Sequence, residues 1–243
     1  MDFPLVRAAV PRLEALDSCA STNSELAVLV GAATPRLEWF TTVLTEDQTA
    51  GRGRLDRTWV APRGASVAVS TLVPDTLGGW TALAAGLAMV EALRPLLGDR
   101  VTLKWPNDVL VDDAKICGVL AEWTPHGIVV GAGLNTAMTV AELPVPTATS
   151  LQIAGVAPVE ADAVVARYLT ALRGHLARTP EELRERVMAR LSTRGRTVRI
   201  GLPDGSILTG WATGIDVEGR LVVDVAGRGK VAVAAGDVVH VRS

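Results

Sequence analysis

The sequence predicts an α+β fold: a mixed, largely antiparallel sheet flanked by helices, followed by a small all-β, barrel-like module. Three observations carry this expectation. Four short β-rich segments, Val101–Trp105, Val109–Val111, Ile116–Glu122 and Ile128–Gly131, follow one another with no room for intervening helices, the spacing of antiparallel pairs. Leu83, Leu87, Val90 and Leu97 mark one face of a helix over about Gly79–Leu97. Beyond Arg194 the pattern changes to strand, glycine turn, strand. The expected division is therefore 1–193 and 194–243.

Taken in order, Thr22-Asn23-Ser24-Glu25 reads as a capping box with Thr22 as N-cap, opening a helix through about Val30. Trp39–Glu46 is rich in β-branched residues and predicts a strand. Asp47–Pro62 is polar, Gly- and Arg-rich, without an apolar period, and predicts a loop. Ser66–Val73 is the next strand. After the central β segments, Leu143–Thr149 is Pro-rich and irregular. Glu160–Leu176 and Glu181–Leu191 read as helices, the second started by Pro180. Strands are expected at Thr197–Ile200, Ile207–Ile215, Leu221–Val225, Lys230–Val233 and Val238–Val241, with turn signals at Asp204-Gly205 and Glu218-Gly219. A module of about fifty residues has a marginal core alone, so it should lean on the larger domain.

Composition bounds the function. Of 243 residues, 49% are apolar but only 4% aromatic, so a sizeable core must be built from Ala, Val and Leu. A net charge of −2 argues against a general nucleic-acid binder. Cys19 and Cys117 lie far apart without metal-ligand spacing, which points away from a disulfide framework or protein-held metal site and toward a reducing cytoplasm. The start MDFPLVRAAV has neither the charged region nor the apolar run of a secretory signal. The apolar stretch Trp80–Leu97 is interrupted by Thr81, Glu91 and Arg94, and reads as a buried helix rather than a membrane span.

Three segments carry chemistry. Gly51-Arg52-Gly53-Arg54-Leu55-Asp56-Arg57-Thr58-Trp59 interleaves arginines with glycines. Glycine lets backbone approach a ligand, and guanidinium forks suit phosphate or carboxylate. Lys104-Trp105-Pro106-Asn107-Asp108 is a turn presenting polar side chains, and Lys115 opens the apolar strand that follows. A lysine at a strand mouth can meet an anion, or simply snorkel to solvent. Ile128–Asn135 runs a strand into Gly131-Ala132-Gly133; the third glycine of a dinucleotide fingerprint is missing, and the pattern also fits a strand ending in a tight bend.

Together these segments resemble the biotin–protein ligase family. The resembling text is STN (Ser21–Asn23), DQTAGRGR (Asp47–Arg54) with RTW (Arg57–Trp59), KWPNDV (Lys104–Val109), KICGVLAE (Lys115–Glu122), GAGLN (Gly131–Asn135), and GWATGID (Gly210–Asp216) in the C-terminal module. The likeness covers nearly the whole chain. It implies a class II synthetase-like catalytic domain with an SH3-like barrel. It also implies two-step chemistry: biotin attacks the α-phosphate of ATP, with Mg²⁺ carried largely on the phosphates, and a lysine of a biotin carboxyl carrier domain of an acyl-CoA carboxylase then accepts biotin. The nearest alternative is a lipoate or octanoate ligase or transferase on the related fold; a biotin-binding regulator without catalysis is the alternative from another class.

By resemblance, Ser21, Thr22, Asn23, Gln48, Gly51, Gly118, Gly131 and Gly133 line the biotin site. Arg52, Gly53 and Arg54 meet the biotin carboxylate and adenylate phosphate, and Lys115 stands at the reacting junction. Arg57 meets nucleotide phosphate, Trp59 covers adenine, and Asn135 lies on the nucleotide side. Asp108 orients the incoming lysine or binds ribose. Two departures stand out. Asp56 replaces an expected loop glycine, adding negative charge beside the phosphates. Only about twenty residues precede Ser21, too few for a helix-turn-helix, so no repressor role or nucleic-acid partner is expected. Monomer and weak homodimer both remain open. The loop Asp47–Arg57 is expected to be mobile alone and ordered over the adenylate.

Overall fold

A computed structural model describes residues 2–33, 36–55 and 57–241. The first half of the chain forms α1 (Pro4–Ala9), β1 (Leu13–Leu16), α2 (Thr22–Ala32), β2 (Thr42–Thr45), the two-residue strands β3 (Gly51–Arg52) and β4 (Thr58–Trp59), β5 (Ser66–Val73) and α3 (Thr81–Leu97). Four strands follow: β6 (Val101–Lys104), β7 (Asp108–Val111), β8 (Ala114–Thr124) and β9 (Gly127–Asn135). Then come α4 (Ala161–Leu176), α5 (Pro180–Met188), β10 (Thr197–Gly201), β11 (Ile207–Ile215), β12 (Leu221–Val225), β13 (Gly229–Val233) and β14 (Asp237–His240).

The larger sheet has seven strands in the order β1-β2-β5-β9-β8-β7-β6. Only β1 and β2 run parallel; the remaining pairs are antiparallel. One face is buried under α3 and α4, through Val67, Val69, Cys117, Val119, Val130 and Ala132. The α3 segment is long and apolar enough to cross a membrane, yet here it is the core helix, with Leu83, Ala84, Ala88 and Leu93 buried. The other face is covered at one end by α2, whose Leu26 and Val30 pack on Val43, Leu72 and Val129. The rest of that face stays open and becomes the floor of a cleft.

The C-terminal strands form an antiparallel sheet in the order β13-β12-β11-β10-β14. Gly205 and Gly219 turn at φ 82° and 81°, as the two turn signals required. The module docks through two tryptophans of the larger domain: the Trp80 indole donates to Val217 O at 2.9 Å and the Trp105 indole to Gly219 O at 3.0 Å. Arg184 adds a bond to Ile215 O, and the buried cores of the two sheets are continuous.

Several expectations need correction. Ser21, not Thr22, is the N-cap of α2, and no side chain caps it, because the Thr22 hydroxyl is turned toward Gln48 and Ser70 instead. The strand expected over Trp39–Glu46 is confined to Thr42–Thr45, since Phe40 at φ 69° breaks the extended run. Asp47–Pro62 is not all loop: Gly51 pairs with Trp59 and Arg52 with Thr58. The strand at Ile128 does not end at its first glycine but runs on to Asn135. Besides the β3–β4 hairpin, two further elements went unanticipated, α1 and β1. Six and four residues are too short to show a period, and Asp162 of α4 caps α1 by accepting from the amides of Leu5 and Val6.

Candidate active site

The register of three adjacent strands builds the floor. Ser70 lies opposite Gly131, and Ala68, Gly133 and Gly118 stand in one row across β5, β9 and β8. Side chains this small let other groups sit on the sheet itself. A Cβ on Gly131 would overlap the Asn23 carboxamide, and one on Gly133 would lie 2.6 Å from Trp59 Cε2. Asn23 and the Trp59 indole therefore rest on glycine backbone, one beside the other.

The N-terminus of α2 reaches over this floor and is locked by a run of hydrogen bonds. Gln48 Oε1 accepts from Thr22 N at 2.9 Å and lies 3.2 Å from the Thr22 hydroxyl. Ser70 Oγ is 2.7 Å from Thr22 Oγ1 and 2.6 Å from Asn23 Oδ1. Asn23 Nδ2 donates to Glu122 Oε2 at 2.7 Å. Ser21, Thr22, Asn23 and Ser70 are all buried, so this end of the cleft is neutral, polar and held rigid by satisfied bonds.

The opposite end is charged, and a bulge sets it up. Between β7 and β8 the pairing steps from Val109↔Cys117 to Leu110↔Lys115, leaving Ile116 without a partner of its own. Ile116 and Cys117 are both fully buried, and Lys115 is thereby turned onto the same side as Gly118. Its ammonium lies 2.6 Å from Asp108 Oδ1, 5.8 Å from the centroid of the Trp59 ring, and 3.0 Å from where a Cβ on Gly118 would stand. Lys104 stands 3.9 Å from the same carboxylate. Burial pushes the Cys117 thiol up to about 12, so this cysteine is inert packing rather than a nucleophile.

The β3–β4 hairpin forms the roof, and three arginines pin it at three points. Arg52 Nη2 meets Glu122 Oε2 at 2.8 Å. Arg54 Nη1 donates to Asn107 Oδ1 at 3.3 Å; burial lowers its pKa, while Asp108 and Asp237 pull it back up. Arg57 grips Asp237 of β14 with both terminal nitrogens, one of them at 2.5 Å. Its guanidinium holds the Asp237 carboxyl below the usual carboxylate range. The C-terminal module thus closes one wall, through Gly236, Asp237 and Val238.

The cleft encloses about 920 Å³, open solvent at its mouth included. Of the residues singled out in the sequence, Ser21, Thr22, Asn23, Gln48, Arg52, Gly53, Arg54, Arg57, Trp59, Asp108, Lys115, Gly118, Gly131 and Gly133 line it together. Gly51 does not: it faces the outer side of the hairpin, pressed between Gln48 and Trp59. Nor does Asn135, which is buried at the end of β9 and donates to Thr149 O at 2.9 Å. Asp56 lies outside the described residues. Glu122, Ser70, Asn107 and Asp237 were missed as partners. Glu122 stands inside a quoted motif, but its bonds span 70 and 99 residues, and no local signal encodes them.

Fold and site define an enzyme-like cleft for a ligand with a neutral, hydrogen-bonding head and an anionic tail, roofed by arginines. Residues 21–135 match the Biotin/lipoate A/B protein ligase family and residues 193–241 the Biotin protein ligase C terminal domain. The chain is 40% identical to the biotin–[acetyl-CoA-carboxylase] ligase of Mycobacterium tuberculosis, over 93% of this chain and 89% of that one. It is 32% identical to the bifunctional ligase/repressor BirA of Escherichia coli, over 85% of this chain and 67% of that one. The fold superimposes with a TM-score of 0.81 on the Aquifex aeolicus biotin protein ligase in complex with biotin and ATP, at 24% identity, covering 96% of this chain and 100% of that one. The chain belongs to the biotin protein ligase family.

Proposed function

We infer that the protein is an ATP-dependent biotin–protein ligase. It forms biotinyl-5′-AMP from biotin and ATP, releases pyrophosphate, and passes biotin to a lysine of a biotin carboxyl carrier domain of an acyl-CoA carboxylase. The observation that carries this reading is the shared cleft: the neutral pocket of Thr22, Asn23 and Gln48 opens directly onto Lys115, Arg52 and Arg54. A ureido ring needs donors and acceptors, which the amides and hydroxyls supply. A carboxylate approaching a phosphate gathers negative charge, which the ammonium of Lys115 and the guanidinium of Arg54 offset as it develops. Asp108 holds the Lys115 ammonium at 2.6 Å within the cleft and is the carboxylate there that would orient the incoming lysine. Arg57 would exchange Asp237 for nucleotide phosphate as the roof closes and excludes water from the mixed anhydride.

Two of the carboxylates lining the cleft, Asp108 and Asp237, are already engaged by Lys115 and Arg57. Magnesium would therefore enter with the triphosphate and offset its charge there, with Asp108 and Asp237 left to Lys115 and Arg57. The test is incubation with biotin, ATP, Mg²⁺ and a carrier domain, followed by mass spectrometry. The expected product is carrier bearing one biotinyl group, with biotin-driven pyrophosphate release. Release driven by lipoate or octanoate instead, or biotin binding without transfer, would overturn the reading.

A further inference from the structure

One carboxylate oxygen joins the two halves of the cleft. Glu122 Oε2 accepts from Asn23 Nδ2 at 2.7 Å and from Arg52 Nη2 at 2.8 Å. Asn23 is buried at the glycine floor, while Arg52 is half-exposed on the roof hairpin. The orientation of the Asn23 carboxamide is forced. Its Nδ2 faces two acceptors, Glu122 Oε2 and Leu120 O, so its Oδ1 must face Ser70. Because Oδ1 can only accept, the Ser70 hydroxyl donates to it, and the Thr22 hydroxyl beyond it donates to Gln48 Oε1. Glu122 therefore fixes the polarity of the run from Arg52 through Asn23 to Ser70.

We propose that Glu122 is a positioning residue for biotin activation, acting through Asn23 on the ring end of the ligand and through Arg52 on its carboxyl end. Without the carboxylate, the carboxamide is free to flip and the guanidinium swings away from the tail's path. The inference rests on the biotin-ligase reading and deepens it.

Two double-mutant cycles separate the two actions. Glu122→Gln keeps an acceptor oxygen for Asn23 but removes the charge that holds Arg52. It should lower kcat/KM for biotin-dependent pyrophosphate release about fivefold, the scale of a partly exposed ion pair. In an Arg52→Ala background the same change should cost less than about twofold. Glu122→Ala removes both contacts and should weaken biotin binding, measured without ATP, about tenfold beyond Glu122→Gln. In an Asn23→Ala background that extra loss should disappear. Should the alanine variant fail to fold, Glu122→Asp replaces it: its shorter carboxylate cannot reach both partners and must lose at least one effect.

The proposal is overturned by equal losses with and without Arg52, by equal biotin affinity in the Gln and Ala variants, or by an Asp variant matching wild type in both measurements. A wild-type protein that releases no pyrophosphate with biotin would instead overturn the functional reading and this inference with it. Activity without coupling would overturn this inference alone.

Discussion

Lys115 owes its place to one irregular step in a strand, and the chemistry asked of it is local. Lys115→Ala removes the ammonium that we assign to the carboxyl–phosphoryl junction while leaving Ile116 and Cys117 to hold the strand. Pyrophosphate release in the presence of biotin is expected to fall roughly 10²–10³-fold, as when a preorganised oxyanion donor is lost. The melting temperature should stay close to wild type, because the side chain is a third exposed. Normal release by this variant would remove the lysine from the mechanism. At this scale the sequence was most informative where residues sit in dense local motifs: Arg52, Arg54, Lys115, Gly53, Gly118, Gly131 and Gly133 all reach the cleft. Gly51 and Asn135 do not line it: Gly51 is pressed between Gln48 and Trp59, and Asn135, on the same face as Gly131 and Gly133, lies beyond the cleft at the end of β9, bonded to Thr149 O. The sequence also could not show Glu122, Ser70 or Asp237 at work, since their partners lie 70, 48 and 180 residues away.

The β3–β4 hairpin is an element held by its side chains rather than by its backbone. Its two residue pairs cannot stabilise a hairpin alone, so three arginine contacts to β8, the β6–β7 turn and β14 carry it. A bound adenylate would offer those arginines a better partner from inside the cleft. Limited proteolysis within 47–57 is therefore expected to slow roughly tenfold or more when biotinyl-adenylate saturates the protein. Equal cleavage rates with and without the ligand would rule out closure. Elsewhere, element type followed the sequence well wherever a strand or helix was long or bounded by turn chemistry: β5, β11 and β12 match residue for residue. The hairpin itself was hidden because glycine and arginine carry no period, and its pairing depends on distant anchors.

At the scale of the whole molecule, the seam between the two sheets has its own titrating group. His240 of β14 lies 3.3 Å from Thr193 Oγ1 and 3.3 Å from Arg196 Nη1. Burial, with Lys104 and Arg196 nearby, pushes its pKa down to about 4, against a smaller opposite pull from Asp113. Near neutrality the imidazole is uncharged in both folded and unfolded chains. As pH falls below the unfolded value near 6.5, the unfolded chain takes up a proton that the folded seam refuses, and stability declines until the folded value is passed. Because the ring is only partly buried, the effect is modest: between pH 7 and pH 5 the wild type should lose about 2–4 °C more in Tm than His240→Gln. Parallel curves for the two proteins would show that the seam does not titrate. The two-part organisation and the sheet's antiparallel character were legible from strand spacing. The seam was not, because it is written in contacts such as Trp80 to Val217 that join residues 137 apart.

The unpaired step at Ile116 also sets what the gene can tolerate. Side chains along β8 obey an odd–even rule, and the bulge is the one place where that parity is reversed, so that residues 115 and 118 share a side. Were the strand regular here, residues three apart would face opposite sides and the ammonium would point into the apolar layer beneath α3. A substitution that straightens the bulge would therefore cost the ammonium its place in the cleft even where the fold survives.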